Sequence, residues 1–322
     1  MKRLLLAAIL ALTGCGLGAE EYRNALPKAE TVEMKVPGST GQGLENASQG
    51  ALEGEKAAFY TVTRGISVFV NGAGYQVLTL VKTITEYPAT KVDEEKGVAT
   101  WGPHTDALSP NTWRLTVTKL GEKEFSYALE AKDKNLKDDA FITILSGKHT
   151  STGKVTGSGE FTFDMDATQR LPEHDKDAIG KAAYTYSHPS LDAVAEVKAV
   201  FTGVKDKDTG RLVDATYLYK SDEKTGGSLE FQFQGDLDEK KNTQLENLVL
   251  NSRWDRTGAG RSDVRAAGGD LQVGQEFTAS ECWDSNFASR YLNASWDATL
   301  NYGNESACGG GRSKAEYSSL RL

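Results

Sequence analysis

The chain has little of what most catalytic sites are built from. Among its 322 residues are four histidines and three cysteines. His104, His149, His174 and His188 are scattered, each near a turn or a proline, and no two share the helical spacing of a metalloenzyme. They are expected to be exposed loop residues. A Gly-x-Ser-x-Gly elbow is also absent. The segment from Asp206 through Asp208 to Gly210 departs from a calcium loop at its fifth position, which is glycine, and at its twelfth, Tyr217. No cofactor, no metal and no enzymatic activity are expected.

Positive charge is scarce as well. The counts are 37 Lys and Arg against 45 Asp and Glu, a net charge of −8. No basic patch stands out, which argues against nucleic acid and against electrostatic binding to anionic lipid. The most apolar internal stretch is interrupted by Arg64, Asn71, Gln76, Lys82 and Glu86, which argues against a membrane-spanning helix.

The beginning of the chain is informative. Lys2 and Arg3 precede the short apolar run Leu4–Leu12, and Leu12-Thr13-Gly14-Cys15 follows. This resembles the lipobox of bacterial lipoproteins. The resemblance covers these residues only. It implies a signal peptide over 1–14 and, on Cys15, a diacylglycerol thioether with an acyl chain such as palmitate on the new amino group. A multi-chain anchor of this kind holds firmly to a membrane. Gly16 follows the cysteine, where Asp commonly marks inner-membrane retention in this class, so the outer membrane is the expected location. Loss of 1–14 removes two basic residues and leaves 35 against 45, a net charge near −10.

With Cys15 lipidated, Cys282 and Cys308 remain together in an oxidising compartment and are expected to form a disulfide. Two thiolates without neighbouring histidines make a poor zinc site. Residues 15–45 hold Gly18, Gly38, Gly41, Gly43, Pro27 and Pro37 among charged residues and are expected to form a lipidated tether. Residues 46–322 are expected to be one β-rich domain.

Phe59 to Tyr87 organises that domain. Phe59, Val62, Ile66, Phe69, Val70, Ala73, Val77, Leu80, Val81 and Ile84 recur three or four apart, with Arg64, Ser67, Asn71, Lys82 and Glu86 opposite. The spacing predicts a long amphipathic helix over about 47–87, capped near Asn46 or Ser48 and ended by Pro88. Asn71-Gly72, flanked by β-branched residues, supports a hairpin instead.

Beyond Pro88 the pattern is alternating strands and turns. In Ser228–Gln234, Leu229, Phe231 and Phe233 point one way and Glu230, Gln232 and Gln234 the other. Phe141–Leu145 is apolar throughout and is expected to lie centrally. The fold class is therefore β-rich α+β, with a large antiparallel meander sheet curled into a barrel or half-barrel and packed on the helix. In outline this resembles the lipid-carrying lipoproteins of the bacterial envelope, an analogy of fold without a shared motif.

Two groups of residues are candidates for binding. Phe59, Ile66, Phe69 and Val77 would line a space between helix and sheet for an apolar, envelope-derived ligand. Arg253, Arg256, Arg261 and Arg265, with Asp255 and Asp263, surround the 257–260 turn, where hairpin geometry would set Arg opposite Asp. They form solvated ion pairs or a guanidinium site for an acidic headgroup or glycan. Two functions follow: a non-enzymatic carrier of such a ligand, or a structural or assembly lipoprotein that binds another envelope protein. A carrier needs a roomy apolar cavity beside Phe59–Tyr87; an assembly protein needs a filled core there and an exposed apolar patch elsewhere.

Overall fold

Each strand pairs antiparallel with the next in sequence. The computed structural model describes residues 14–38, 52–205, 210–235, 244–269 and 271–320. The fifteen strands are β1 (Lys91–Asp93), β2 (Val98–His104), β3 (Asn111–Lys119), β4 (Glu124–Asp133), β5 (Ile142–Ser151), β6 (Gly157–Asp164), β7 (Lys181–His188) and β8 (Ala195–Lys205), then β9 (Leu212–Asp222), β10 (Gly226–Gly235), β11 (Glu246–Asp255), β12 (Gly260–Gly268), β13 (Glu276–Trp283), β14 (Ser289–Ala294) and β15 (Tyr302–Gly303). Together they make one sheet in sequence order. β1 and β15 are its two edges and do not meet, so the sheet is not closed into a barrel.

Short turns enforce this order. Between β9 and β10, the Asp222 carboxylate accepts from the Lys224 amide and the Thr225 hydroxyl. Gly226 then follows at φ +120°, where a side chain would strike the Trp254 carbonyl. Alternation sends Phe125, Tyr127, Leu129 and Ala131 of β4 to one face, all of them buried. His149 of β5 is buried too, donating to or accepting from the Tyr186 hydroxyl at 2.8 Å, so it is not the exposed loop residue expected.

The helices are α1 (Gly14–Asn24), α2 (Ala29–Val32), α3 (Ala58–Glu86) and the single turn α4 (Met165–Thr168). α3 passes without a break through Asn71-Gly72, which excludes the hairpin. It starts at Ala58, later than expected, and Ala57 at its N-cap makes no side-chain cap bond. Asn46 and Ser48 lie outside the described residues. The cap comes from the sheet: Glu281 of β13 accepts from the Ala58 and Phe59 amides at 3.1 and 2.6 Å. Further along, Thr63 hydrogen-bonds Ser252 of β11. The Tyr184 hydroxyl of β7 donates to the Val70 carbonyl at 3.0 Å, and the Trp101 indole of β2 to Tyr87 at 3.0 Å. α3 therefore crosses the sheet from β13 to β2, a run of about 43 Å at 1.5 Å per residue.

The buried side of α3 is turned from the expected one by about one residue, on the order of 100°. Tyr60, Thr63, Arg64, Ser67, Val70, Gly74, Val77, Leu78, Val81 and Thr85 are buried. Phe69 is 56 % exposed, and Phe59 and Ile66 are half-buried. Small residues allow a bulky sheet surface to come close, and Gly74 sits directly over the Tyr184 ring. The hydroxyls of Thr63, Ser67 and Thr85 are satisfied by carbonyls of their own helix at 2.7 to 3.1 Å, so they can be buried without loss.

The expected tether is also corrected over residues 19–38. Tyr22 packs edge-on against Phe125, and Leu26, Val32, Met34 and Val36 join the central core. The Asn71 side chain bonds both the amide and the carbonyl of Met34 at 2.8 Å, and the Tyr219 hydroxyl does the same for Lys35 at 2.9 Å. Residues 39–45, residues 1–13 of the expected signal peptide and residues 206–209 lie outside the described part. Among the described residues no helix is long and apolar enough to cross a membrane.

Candidate functional site

The arginine cluster divides when folded. Arg253 and Arg261 stand directly opposite each other on β11 and β12, so Arg faces Arg, not Asp. What holds them is Asp263, fully buried between them. Arg253 donates to its Oδ2 and Arg261 to its Oδ1, each at 2.8 Å, and Ser280 of β13 adds a third donor at 2.6 Å. Arg261 is itself fully buried, and its other nitrogens reach Glu305 at 2.8 Å and the Arg312 carbonyl at 3.0 Å. Opposite charge from Asp263 and Glu305 raises its already high pKa, against the burial that lowers it. These are buried structural ion pairs, closed to a headgroup. Arg256 is exposed in the turn, away from the other three, and Arg265 lies further along β12.

A strap made by residues 312–320 closes this end of the sheet. Cys282 of β13 and Cys308 are paired as a disulfide, with Cα atoms 5.5 Å apart. From there the strap crosses β12, β11 and β10: Arg312 pairs with Asp255, the Glu316 amide donates to Asp263, Glu316 accepts from Asn251, and Ser318 donates to Glu230. Where it passes over Arg265 it leaves a polar groove of about 750 Å³, lined by Gln232, Gln234, Asn247, Arg265, Glu276 and Tyr317. Gln232 and Tyr317 were not legible as site residues. The alternating Glu230, Gln232 and Gln234 read as an ordinary wet face, and nothing local ties Tyr317 to them.

The helix–sheet interface is largely packed, with a groove left beside Val70, Gly74 and Tyr184. Val70, Val77, Leu78 and Val81 share one core with Leu129, Phe161, Tyr184, Phe201 and Tyr217, and Phe161 stacks on Tyr184 at 4.6 Å. Of the four residues expected to line a cavity, only Val77 is buried. Phe69 points outward and touches Phe201 at the edge of the core, with centroids 5.7 Å apart. Two grooves lie between α3 and residues 23–33, one reaching Val70, Gly74 and the sheet residue Tyr184, the other Leu78, Val81 and Thr85. They have volumes of about 430 and 460 Å³ and share Ala29, Glu30 and Tyr75. Val68, Phe69, Tyr75 and Leu80 of α3 stay 46, 56, 60 and 41 % exposed, Val68 and Tyr75 on one flank of the helix and Phe69 and Leu80 on the other.

Two other buried ionisable groups mark packing constraints. Burial lowers the His149 pKa from 6.5 to about 4, so its ring is neutral in the fold. Burial raises that of Glu281, against the Phe59, Ser289 and Ala58 donors that favour the carboxylate. Asp164 and Asp166 do not form a shared site: Asp164 caps α4 and pairs with Lys181, while Asp166 accepts from the Gly180 amide. Comparison of the chain with protein-family models, with curated proteins and with solved structures finds no match in any of the three.

Proposed function

We propose that the chain is a non-enzymatic lipoprotein of the bacterial outer membrane, anchored through lipid on Cys15, which binds another cell-envelope protein through the outward face of α3. The exposure of Val68, Phe69, Tyr75 and Leu80, spread over the two flanks of that face, carries this reading. The inner side of α3 packs on the sheet. Its outer side keeps aromatic and aliphatic surface in water, whose removal by a partner is favourable. Carriage of an apolar ligand between helix and sheet is the second reading: Val77, Leu78 and Val81 pack in one core with the sheet's aromatic rings, and the space left is the groove beside Val70, Gly74 and Tyr184.

The test is a photo-reactive amino acid placed at position 69 of the full-length protein in its own cells, with position 96, exposed in the β1–β2 turn, as control. A discrete protein adduct from position 69 alone, lost when Leu80→Asp is added, is the expected result. Adducts with phospholipid alone would assign this face to the membrane surface, and no specific adduct would leave the reading without support. Labelled palmitate is expected on the wild type and not on Cys15→Ala.

A further inference from the structure

We infer that the polar groove beneath the 317–320 part of the strap binds a neutral saccharide. Gln232 is 5 % exposed, it lines this groove, and its side-chain oxygen Oε1 has no hydrogen-bond partner. A buried amide oxygen without a donor is costly, and a ligand that brings a hydroxyl or amide hydrogen recovers that loss.

Register fixes the surroundings of Gln232. One row of outward side chains runs Gln232, Val249, Arg265 across β10, β11 and β12. The next runs Gln234, Asn247, Ala267, Glu276 and continues on to β13. The middle of the groove is thus low and apolar, made by Val249 and Ala267. Amides stand along the β10 side, where Gln234 donates to Asn247 at 3.2 Å. Arg265 and Glu276 stand on the other side, 3.9 Å apart. The Tyr317 ring covers Arg265, its centroid 5.6 Å from the guanidinium carbon.

This arrangement selects a class of ligand. Arg265 and Glu276 offset each other, so the groove has no strong preference for an anion or a cation. Side-chain amides and a guanidinium–carboxylate pair present donors and acceptors side by side, which suits neighbouring hydroxyl groups. The apolar floor and the tyrosine ring suit the C–H faces of a sugar ring. The volume of about 750 Å³ lies within the range of small-molecule sites. An extended peptide fits less well. Strands β10 to β13 are each paired on both sides, so they offer no free edge for main-chain hydrogen bonds. The groove lies on the face of the sheet opposite α3, because Gln232 alternates with Phe231 and Phe233, which pack on the core. The inference therefore rests on neither the lipid anchor nor the protein partner.

The full chain, purified in a sugar-free zwitterionic detergent, is to be titrated with neutral di- and trisaccharides of hexose and N-acetylhexosamine, followed by saturation-transfer NMR. At least one of them is expected to bind at millimolar concentration or below. Gln232→Met and Tyr317→Ala should each weaken that binding on the order of tenfold. Gln232→Met conserves volume and removes the lone acceptor, so its urea midpoint should be unchanged or higher. The inference is overturned if no saccharide binds, if both variants bind as the wild type does, or if a Gly-Ser-Gly tripeptide binds equally well with the same dependence on Gln232.

Discussion

The amide of Phe59, in the first turn of α3, donates to the Glu281 carboxylate of β13 at 2.6 Å, across 222 residues of sequence. The Ala58 amide uses the second carboxylate oxygen at 3.1 Å. A single fully buried side chain thus supplies the cap that the residues around the helix start do not. It also fixes where along the sheet the helix begins. Replacing Glu281 by Ala leaves both amides buried and unpaired, which should cost about 1–3 kcal/mol in urea unfolding.

Acid should act on Glu281 in an unusual direction. Burial raises its pKa, so the folded state holds this proton more tightly than the unfolded chain does. Its contribution is fully present below the unfolded value near 4.5 and is lost as pH rises through the higher folded value. Glu281→Gln keeps a carbonyl acceptor and cannot ionise. The wild type should therefore lose stability relative to this variant as pH is raised from 4, which paired urea titrations would reveal.

His149 has the opposite sign. Its folded pKa of about 4 lies below the ordinary 6.5 because burial disfavours the imidazolium. Its contribution is present above 6.5 and is lost as pH falls toward 4. The ring protons should titrate near 4 by NMR, and His149→Gln should flatten the stability curve between those two values. A midpoint near 6.5 would show that the ring is not buried beside Tyr186.

The strap depends on Cys282–Cys308. The loop it closes spans 26 positions, for which loss of the link should cost about 3 kcal/mol. Cys282→Ser with Cys308→Ser should also speed hydrogen exchange at Glu316, whose amide is held by Asp263 at 3.0 Å. Beneath it, Asp263→Ala would remove the buried carboxylate shared by Arg253 and Arg261, leaving them to Glu316 and Glu305, at a cost of about 3 kcal/mol. Circular dichroism during denaturation measures both costs.

Phe69 and Val70 are adjacent and should behave oppositely. Val70→Ala opens the core and should cost about 2 kcal/mol. Phe69→Ala removes a mostly exposed ring and should cost less than about 1 kcal/mol. Equal costs would mean that α3 is seated on the face that apolar spacing alone suggests.

Much of the sheet is legible in the residues themselves. Leu229, Phe231 and Phe233 face inward against Glu230, Gln232 and Gln234 because side chains alternate along any strand. The pairing of Cys282 with Cys308 follows from counting cysteines once Cys15 is set aside. The seating of α3 is less legible. Apolar spacing marks large side chains, whereas the sheet needed a close approach and accepted Gly74, Ser67 and Thr63, whose hydroxyls are satisfied locally. Residues 19–38 look like a linker because their contacts, Met34 with Asn71 and Lys35 with Tyr219, are made to distant elements.

The order of the sheet was written into the chain, since most neighbouring strands are joined by short turns and consecutive strands pair by preference. The sequence by itself also determined which side chains share a face. What covers each face came from contacts between distant elements: α3 and residues 19–38 on one, the strap on the other. Those contacts made Arg261 a buried structural cation and left the Gln232 oxygen without a partner, because burial and pairing depend on elements far apart in the chain.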